Sequence, residues 1–469
     1  MHDTGTKNSE RTGTTKGVAL LTGDPKKAII RLSIPMIAAM LLFSTYNLAD
    51  AVWVAGLGSD ALAAVGFMTP VFMIITGLAV GLGAGASSAV ARRIGAEDRA
   101  GADNTAVHAV LLALGLGALL TIPLILLAGP VAALLGAGEI SELAAAYGQT
   151  LFAGTVFSFF INVAYAILRA EGDTKRTMYA MGVSSVLNIV LDPIFIYGAG
   201  MGVAGAALAT VISIAAVSAV LVYWLFVRKD TYVSLSREAF SPDFRVIRDI
   251  LGVGLPASLE FFLMSALAII INGLLVQVAG TDAVAVYTTG WRVVMFAIIP
   301  FVAIGTSVVS VSGAAYGARK YERLKTAHTF SVGLGAAIAL AMSAVTWLFA
   351  SQIALIFTYS AESAHLAPAI TAFLMTMCFF YPFVPPGIMS GSIFQGTGKG
   401  TTSLLISFLR NLVFIAVFAW ALAVPLGMGE AGVWWGIVAG NTLGGIVGFL
   451  WARFYIARLI ATEQGPDTA

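Results

Sequence analysis

Apolar residues run through this chain in long stretches, without the two-residue alternation or single apolar stripe of a water-soluble fold. Twelve runs are long enough to cross a hydrocarbon core, which takes about 20 helical residues. They fall at 31–57, 62–90, 105–128, 143–168, 178–199, 203–227, 250–279, 283–312, 328–350, 366–393, 403–424 and 432–457. All are expected to be helices, because a helix satisfies its own backbone hydrogen bonds and an open strand edge in lipid does not. The first 28 residues are polar and lack the apolar core and small-residue cleavage site of a signal peptide. They read as a tail, helical near 24–31.

The polar segments between the runs are sorted by charge. Of the 26 Lys and Arg residues, 24 lie up to the first residue of the first span, in the loops that follow even-numbered spans, or in the last turns of the twelfth span and beyond. The other two, Arg292 and Arg410, fall in the interior of spans. The loops that follow odd-numbered spans carry no Lys or Arg but do carry Asp60, Glu139, Glu142, Asp282, Glu362 and Glu430. The positive-inside rule therefore places both termini and every basic loop in the cytoplasm, and requires an even number of spans.

The chain also repeats. Ser33-Ile34-Pro35 corresponds to Gly254-Leu255-Pro256 at an offset of 221, and Gly58-Ser59-Asp60-Ala61 to Gly280-Thr281-Asp282-Ala283 at 222. Ile94-Gly95-Ala96 corresponds to Tyr316-Gly317-Ala318 at 222, and Gly172-Asp173-Thr174-Lys175 to Gly396-Thr397-Gly398-Lys399 at 224. Matching segments share a membrane side, so the repeat is parallel, with its pseudo-axis along the membrane normal. The expected organisation is a tail (1–28), a six-helix lobe (29–227), a charged linker (228–249), a second six-helix lobe (250–458) and a short tail (459–469). The fold class is an all-α integral membrane protein of twelve transmembrane helices in two pseudo-symmetric bundles.

Composition supports this reading. Of 469 residues, 59% are hydrophobic and only 11% charged, with a mean hydropathy of +0.91. A soluble domain carries about a quarter charged residues. The net charge of +2 gives no reason to expect a nucleic-acid partner. The single cysteine, Cys378, allows no intrachain disulfide.

Charges within spans are costly, so they are the informative residues. Asp50, Asp192, Glu260, Arg292 and Arg410 are the set. Tyr46, Asn47 and Asp50 cluster in the first span, where Tyr46 and Asp50 share a face at i, i+4. Asn188 and Asp192 share a face in the fifth span, and Pro193 frees the carbonyl four residues back. Thr210 adds a hydroxyl in the sixth. Such oxygens suit Na⁺, or a carboxylate pair that shares a proton. Glu260 and Arg292 are candidates to line a substrate cavity, and Arg410 is expected to snorkel toward an interface. Gly77, Gly81 and Gly85 form a close-packing face. Gly398-Lys399 fails as a phosphate loop, because Ile393 stands where the loop needs glycine and Gly400 follows the lysine. Pro35, Pro256, Pro382, Pro385 and Pro386 mark expected kinks.

Ser33-Ile34-Pro35, then Asp50, then Asp60-Ala61-Leu62-Ala63-Ala64-Val65 resembles the first two helices of the multidrug and toxic compound extrusion (MATE) family. Glu171-Gly172-Asp173-Thr174-Lys175 and Asn188-Ile189-Val190-Leu191-Asp192-Pro193 are similar to its fourth and fifth. The resemblance extends over about 24–458 and is closer to the archaeal and DinF-like branch than to the NorM-like branch. It implies an antiporter in the cell membrane that exports amphipathic, often cationic compounds against Na⁺ or H⁺. It also implies a cation site at Asp50, Asn188, Asp192 and Thr210, with Pro35 as the bend of the first helix and Tyr46 and Asn162 in the surrounding polar network. The NorM-like branch also uses an acid in its tenth helix, and residues 366–393 contain none. The expected partners are a small-molecule substrate and membrane lipids, with no nucleic acid, no cofactor beyond the coupling ion, and a monomeric state. Two rivals are a flippase for lipid-linked precursors, which would favour a cationic cavity, and an intramembrane aspartyl protease using Asp50 and Asp192. The protease motifs, Tyr-Asp and Gly-x-Gly-Asp, are not matched by Leu48-Ala49-Asp50 or Val190-Leu191-Asp192.

Overall fold

A computed structural model describes residues 14–228, 230–359 and 363–464. The tail before residue 14, Lys229 of the linker, Glu362 and the last five residues lie outside the described residues. The described chain is helical almost throughout: α1 (Lys16–Leu21), α2 (Pro25–Ala55), α3 (Ser59–Gly95), α4 (Arg99–Leu134), α5 (Ser141–Ala153), α6 (Thr155–Ala170), α7 (Thr174–Pro193), α8 (Gly202–Val222), α9 (Phe244–Ala279), α10 (Thr281–Gly317), α11 (Tyr321–Phe357), α12 (Ala367–Met377), α13 (Val384–Gly396), α14 (Gly400–Phe408), α15 (Ala416–Ala423) and α16 (Gly429–Gln464). Among the described residues, eleven helical segments are long and apolar enough to cross a membrane, and the pair α5 and α6, bent by 43°, makes a twelfth.

The helices outrun the apolar runs that predict them, because capping residues lie in the polar loops. Asp24, Asp98, Asp173 and Asp243 each accept a backbone N–H of the first turn of α2, α4, α7 and α9. Asp24 with Pro25 starts α2 three residues before the expected end of the tail. Residues 14–28 are also not a free tail. Val18 and Leu21 of α1 are buried, and Gly17 packs so closely on the Glu171 carbonyl that any side chain there would collide with it.

The prolines act unequally. Both α2 and α9 run unbroken through Pro35 and Pro256. The tenth span does break, with α12 ending at Met377 and α13 beginning at Val384 around Pro382, Pro385 and Pro386. After Pro193 the fifth span continues as a π-turn over Ile194–Gly198.

The repeat is visible in the backbone. Gly58 and Gly280 open α3 and α10 with φ of 103° and 79°. Among the described residues, Glu97 and Arg319 are the two non-glycine left-handed residues, at φ of 59° and 56°, and stand in the matching turns 222 residues apart. Packing repeats as well: α2 lies on α7 and α3 on α6 in the first half, as α9 lies on α14 and α10 on α13 in the second. The halves meet where α3 crosses α9 and α10 crosses α2. The Gly77, Gly81 and Gly85 face is this contact, with Phe261, Ser258 and the Gly254 and Ile250 carbonyls seated where side chains would otherwise stand.

Among the described residues, the polar contacts between halves gather at the end that carries the basic loops. Arg92 reaches Asp249 at 2.9 Å, Ser87 Oγ lies 3.3 Å from Ser310 Oγ, and Ser88 donates to the Gln395 carbonyl at 2.5 Å. Arg323 donates to the Gly23 carbonyl. Gly95 meets the Ala314 carbonyl, and its repeat partner Gly317 meets the Arg92 carbonyl, backbone against backbone. The protein is closed at this end.

The linker is fastened to the first half. Glu171 accepts the Tyr232 and Val233 N–H groups at 2.9 and 3.2 Å, Asp103 accepts from Ser234 at 2.7 Å, and Asn104 from Ser241 at 3.0 Å. His108 Nδ1 donates to the Asn104 carbonyl at 2.9 Å, which leaves Nε2 to accept the Asp243 N–H at 3.2 Å. Burial pushes the Glu171 carboxyl up to about 8, against the pull of its two N–H donors.

Candidate cation site in the first half

Three helices bring together the four residues the sequence assigns to a cation site. Asp192 is 0% exposed and Asn188 2% exposed on α7, while Asp50 on α2 and Thr210 on α8 are half-buried. The Asn188 amide bridges the two neighbouring helices: Nδ2 donates to Asp192 Oδ2 at 3.1 Å, while Oδ1 accepts from Thr210 Oγ1 at 3.1 Å and from the Thr210 N–H at 3.2 Å.

Asp50 Oδ1 and Asp192 Oδ1 are both buried without a hydrogen-bond partner. Asp50 is also the charge that acts on Asp192. Two orphaned carboxylate oxygens in a poorly solvated pocket leave an acceptor-rich cavity, the donor set that fits a proton or a hard monovalent cation. Nitrogen and sulfur ligands are not part of it.

The other expected members behave differently. Tyr46 faces the pair, close enough to feel both charges. Asn47 and Asn162 each donate to their own helix, to the Phe43 and Ser158 carbonyls at 2.9 Å, and neither bonds to a carboxylate. Pro35 is buried some four turns from Asp50 along α2. Tyr147 on α5 lies within the field of Asp50, Tyr46 and Asp192 and was missed. Its signal was faint, a lone hydroxyl in the alanine-rich start of the fourth span. Trp53, another omission, has a buried Nε1 without a partner, and its carbonyl accepts from Tyr197 at 2.5 Å.

In the second half Glu260 and Arg292 are not brought together. Arg292 is exposed and forms no ion pair or hydrogen bond among the described residues. Glu260 accepts from Ser403 at 2.8 Å and Gln395 at 3.4 Å, with Arg410 as its counter-charge. Arg410 therefore does not snorkel. Its side chain packs against Gly387 and Gly444 inside the second half, where no larger residue would fit beside it. Removing Glu260 would leave the Arg410 charge without its counter-charge inside the second half, which is destabilising. Glu260→Gln is accordingly expected to lower thermal stability in detergent. Adding Arg410→Met should restore most of it, with ion-dependent efflux retained. A stable double variant with no efflux would move coupling into the second half.

Two repeated six-helix halves, closed against each other at one end, define a polytopic membrane transporter. The MatE family model matches the chain twice, over residues 35–194 and 256–421, with starts 221 residues apart as in the Pro35 and Pro256 repeat. The chain belongs to the MatE family of transporters. It is 27% identical over 420 residues to the multidrug export protein MepA of Staphylococcus aureus, covering 89% of this chain and 91% of that one. A solved outward-facing multidrug resistance MATE family transporter of the MOP superfamily is 47% identical, with a TM-score of 0.93 over 96% of this chain and 100% of the other. A MOP superfamily transporter of Pyrococcus furiosus, described as having a binding pocket of reverse polarity that suggests a different function, is 47% identical with a TM-score of 0.92, covering 95% and 99%.

Proposed function

We propose that this transporter exports amphipathic, cationic small molecules in exchange for H⁺ or Na⁺, by rocking residues 29–227 against residues 250–458. The observation that carries this is the pair of orphaned carboxylate oxygens at Asp50 and Asp192, in one half only, within a protein closed at the opposite end. In the empty state the pair is negative and attracts a cation. Two carboxylates this close cannot both stay ionised cheaply, so the site takes up a proton or Na⁺ when it meets the ion-rich side. A proton would sit on Asp192 or Asp50, each of which has a buried oxygen without a partner. A sodium ion would instead be held by Asp50, Asp192 and Thr210 oxygens. Loading removes the charge that holds the substrate, and the two ligands weaken each other reciprocally. One charge crossing 100 mV contributes about 2.3 kcal/mol, which sustains roughly a fiftyfold gradient of a neutral substrate. A flippase for lipid-linked phosphates would call for a cluster of free cations facing the cavity. Arg292 is a single exposed cation and Arg410 has Glu260 as its counter-charge, so no such cluster forms among the described residues, which favours export.

Proteoliposomes with an imposed Na⁺ or pH gradient, one at a time, test this reading. Dye efflux driven by neither gradient would defeat it. The orientation follows from the basic loops, which we place in the cytoplasm. An impermeant maleimide added to intact cells should label Glu139→Cys and spare Lys399→Cys, the buried Cys378 staying silent in both. The reverse pattern would invert the transport direction.

A further inference from the structure

An apolar groove of about 540 Å³ lies outside the transport pathway, between α4 and the segment that leads from the linker into α9. Leu112, Leu116 and Leu119 form one wall, and Phe240, Phe244 and Ile247 the other. Its size falls within the roughly 300–1,000 Å³ of ligand-binding clefts. Gly115 forms the floor, and a Cβ added there would meet no atom within 4 Å. The groove exists because that position carries no side chain.

Its surroundings are lipid on one side and the membrane surface on the other. Leu119 is 68% exposed and Phe244 78% exposed, a surface only a bilayer would cover. The inner end is fixed by His108 Nε2 accepting the Asp243 N–H, with the His108 ring tilted against Phe240 at 4.9 Å between centroids. Beside the apolar wall, Arg245 and Arg248 are exposed and in no ion pair among the described residues. The Asp243 carboxylate does not neutralise them, because it is turned to the start of α9 and accepts the Arg245 backbone N–H at 2.8 Å. Apolar depth, an opening to lipid and two free guanidinium groups at the membrane surface are complementary to one class of molecule.

We propose that this groove is a binding site for one phospholipid with an anionic headgroup, its acyl chain lying over Gly115 and its headgroup on Arg245 and Arg248. The lipid would seat the linker against α4, where the structure already ties it through Asp103, Asn104 and His108. An interfacial basic residue at an anionic surface is worth about fivefold in affinity. The two arginines together therefore account for a preference of roughly thirtyfold.

Native mass spectrometry of the detergent-purified chain with equimolar phosphatidylglycerol and phosphatidylcholine tests the assignment. The wild type should retain one phosphatidylglycerol in preference to phosphatidylcholine. Gly115→Leu fills the floor and should lower that retained species at least tenfold. Arg245→Gln with Arg248→Gln, both on the surface, should keep a bound lipid but lose the roughly thirtyfold headgroup preference. Equal retention of both lipids by the wild type would overturn the proposal. So would unchanged retention in both variants. Gly115→Leu that releases a transported dye and leaves the phospholipid in place would show a substrate entry site instead.

Discussion

Asp192→Asn is expected to abolish ion-dependent efflux while leaving the protein folded. The substitution keeps the size of the side chain and a carbonyl oxygen for Asn188, so the fully buried position still fills. What it removes is the charge. An amide neither takes up a proton at this position nor compensates Na⁺. In the wild type, a transported dye should bind more weakly as protons or Na⁺ are added, by a factor in the roughly 5–150-fold range of coupled sites. In Asp192→Asn that dependence should vanish, and Asp50→Asn should behave likewise, because its orphaned oxygen belongs to the same pocket. The measurement is equilibrium dye binding with pH and Na⁺ titrated separately, alongside efflux. A wild type indifferent to both ions, or an Asp192→Asn variant that transports normally, would sink this coupling scheme.

Gly317→Val is expected to hold the protein open at the basic-loop end. A Cβ at Gly317 collides with the Arg92 carbonyl, and the obstacle is backbone, which cannot turn aside as a side chain can. Overpacking of this kind costs about 1–3 kcal/mol. Only the closed arrangement suffers, since α3 and α10 no longer touch there when the halves part. That cost shifts the population about 5- to 150-fold away from the closed state. Efflux should fall by at least tenfold. Spin labels at Lys399 and Arg93, both at that end, should report a longer distance between the halves. Gly95→Val, the repeat partner against Ala314, should do the same. Normal transport and an unchanged distance in both variants would mean that this crossing is not part of the conformational cycle.

The spans were legible because lipid demands about twenty apolar residues whatever the neighbours are. Their ends were not, because Asp24, Asp98, Asp173 and Asp243 extend helices into the loops by capping, and that depends on local geometry. Asp50 and Asp192 stood out on their cost in lipid alone. Arg410 was misplaced on the same reasoning, since the acid whose charge acts on it, Glu260, lies on another helix.

Sequence by itself determined the all-helical class, twelve spans, the parallel repeat and which carboxylates stand within the spans. Each follows from one physical rule applied along the chain: backbone satisfaction in lipid, the cost of a buried charge, or the spacing of matching segments. Only the tertiary structure decided who meets whom. It set Asn188 between Asp192 and Thr210, left Asn47 and Asn162 on their own helices, brought Tyr147 to the pair and joined Gly95 and Gly317 to opposing carbonyls. These contacts depend on the rotation of each helix about its axis. That rotation is set by packing against neighbours, and in lipid, where the outer face is uniformly apolar, the hydrophobic pattern does not encode it.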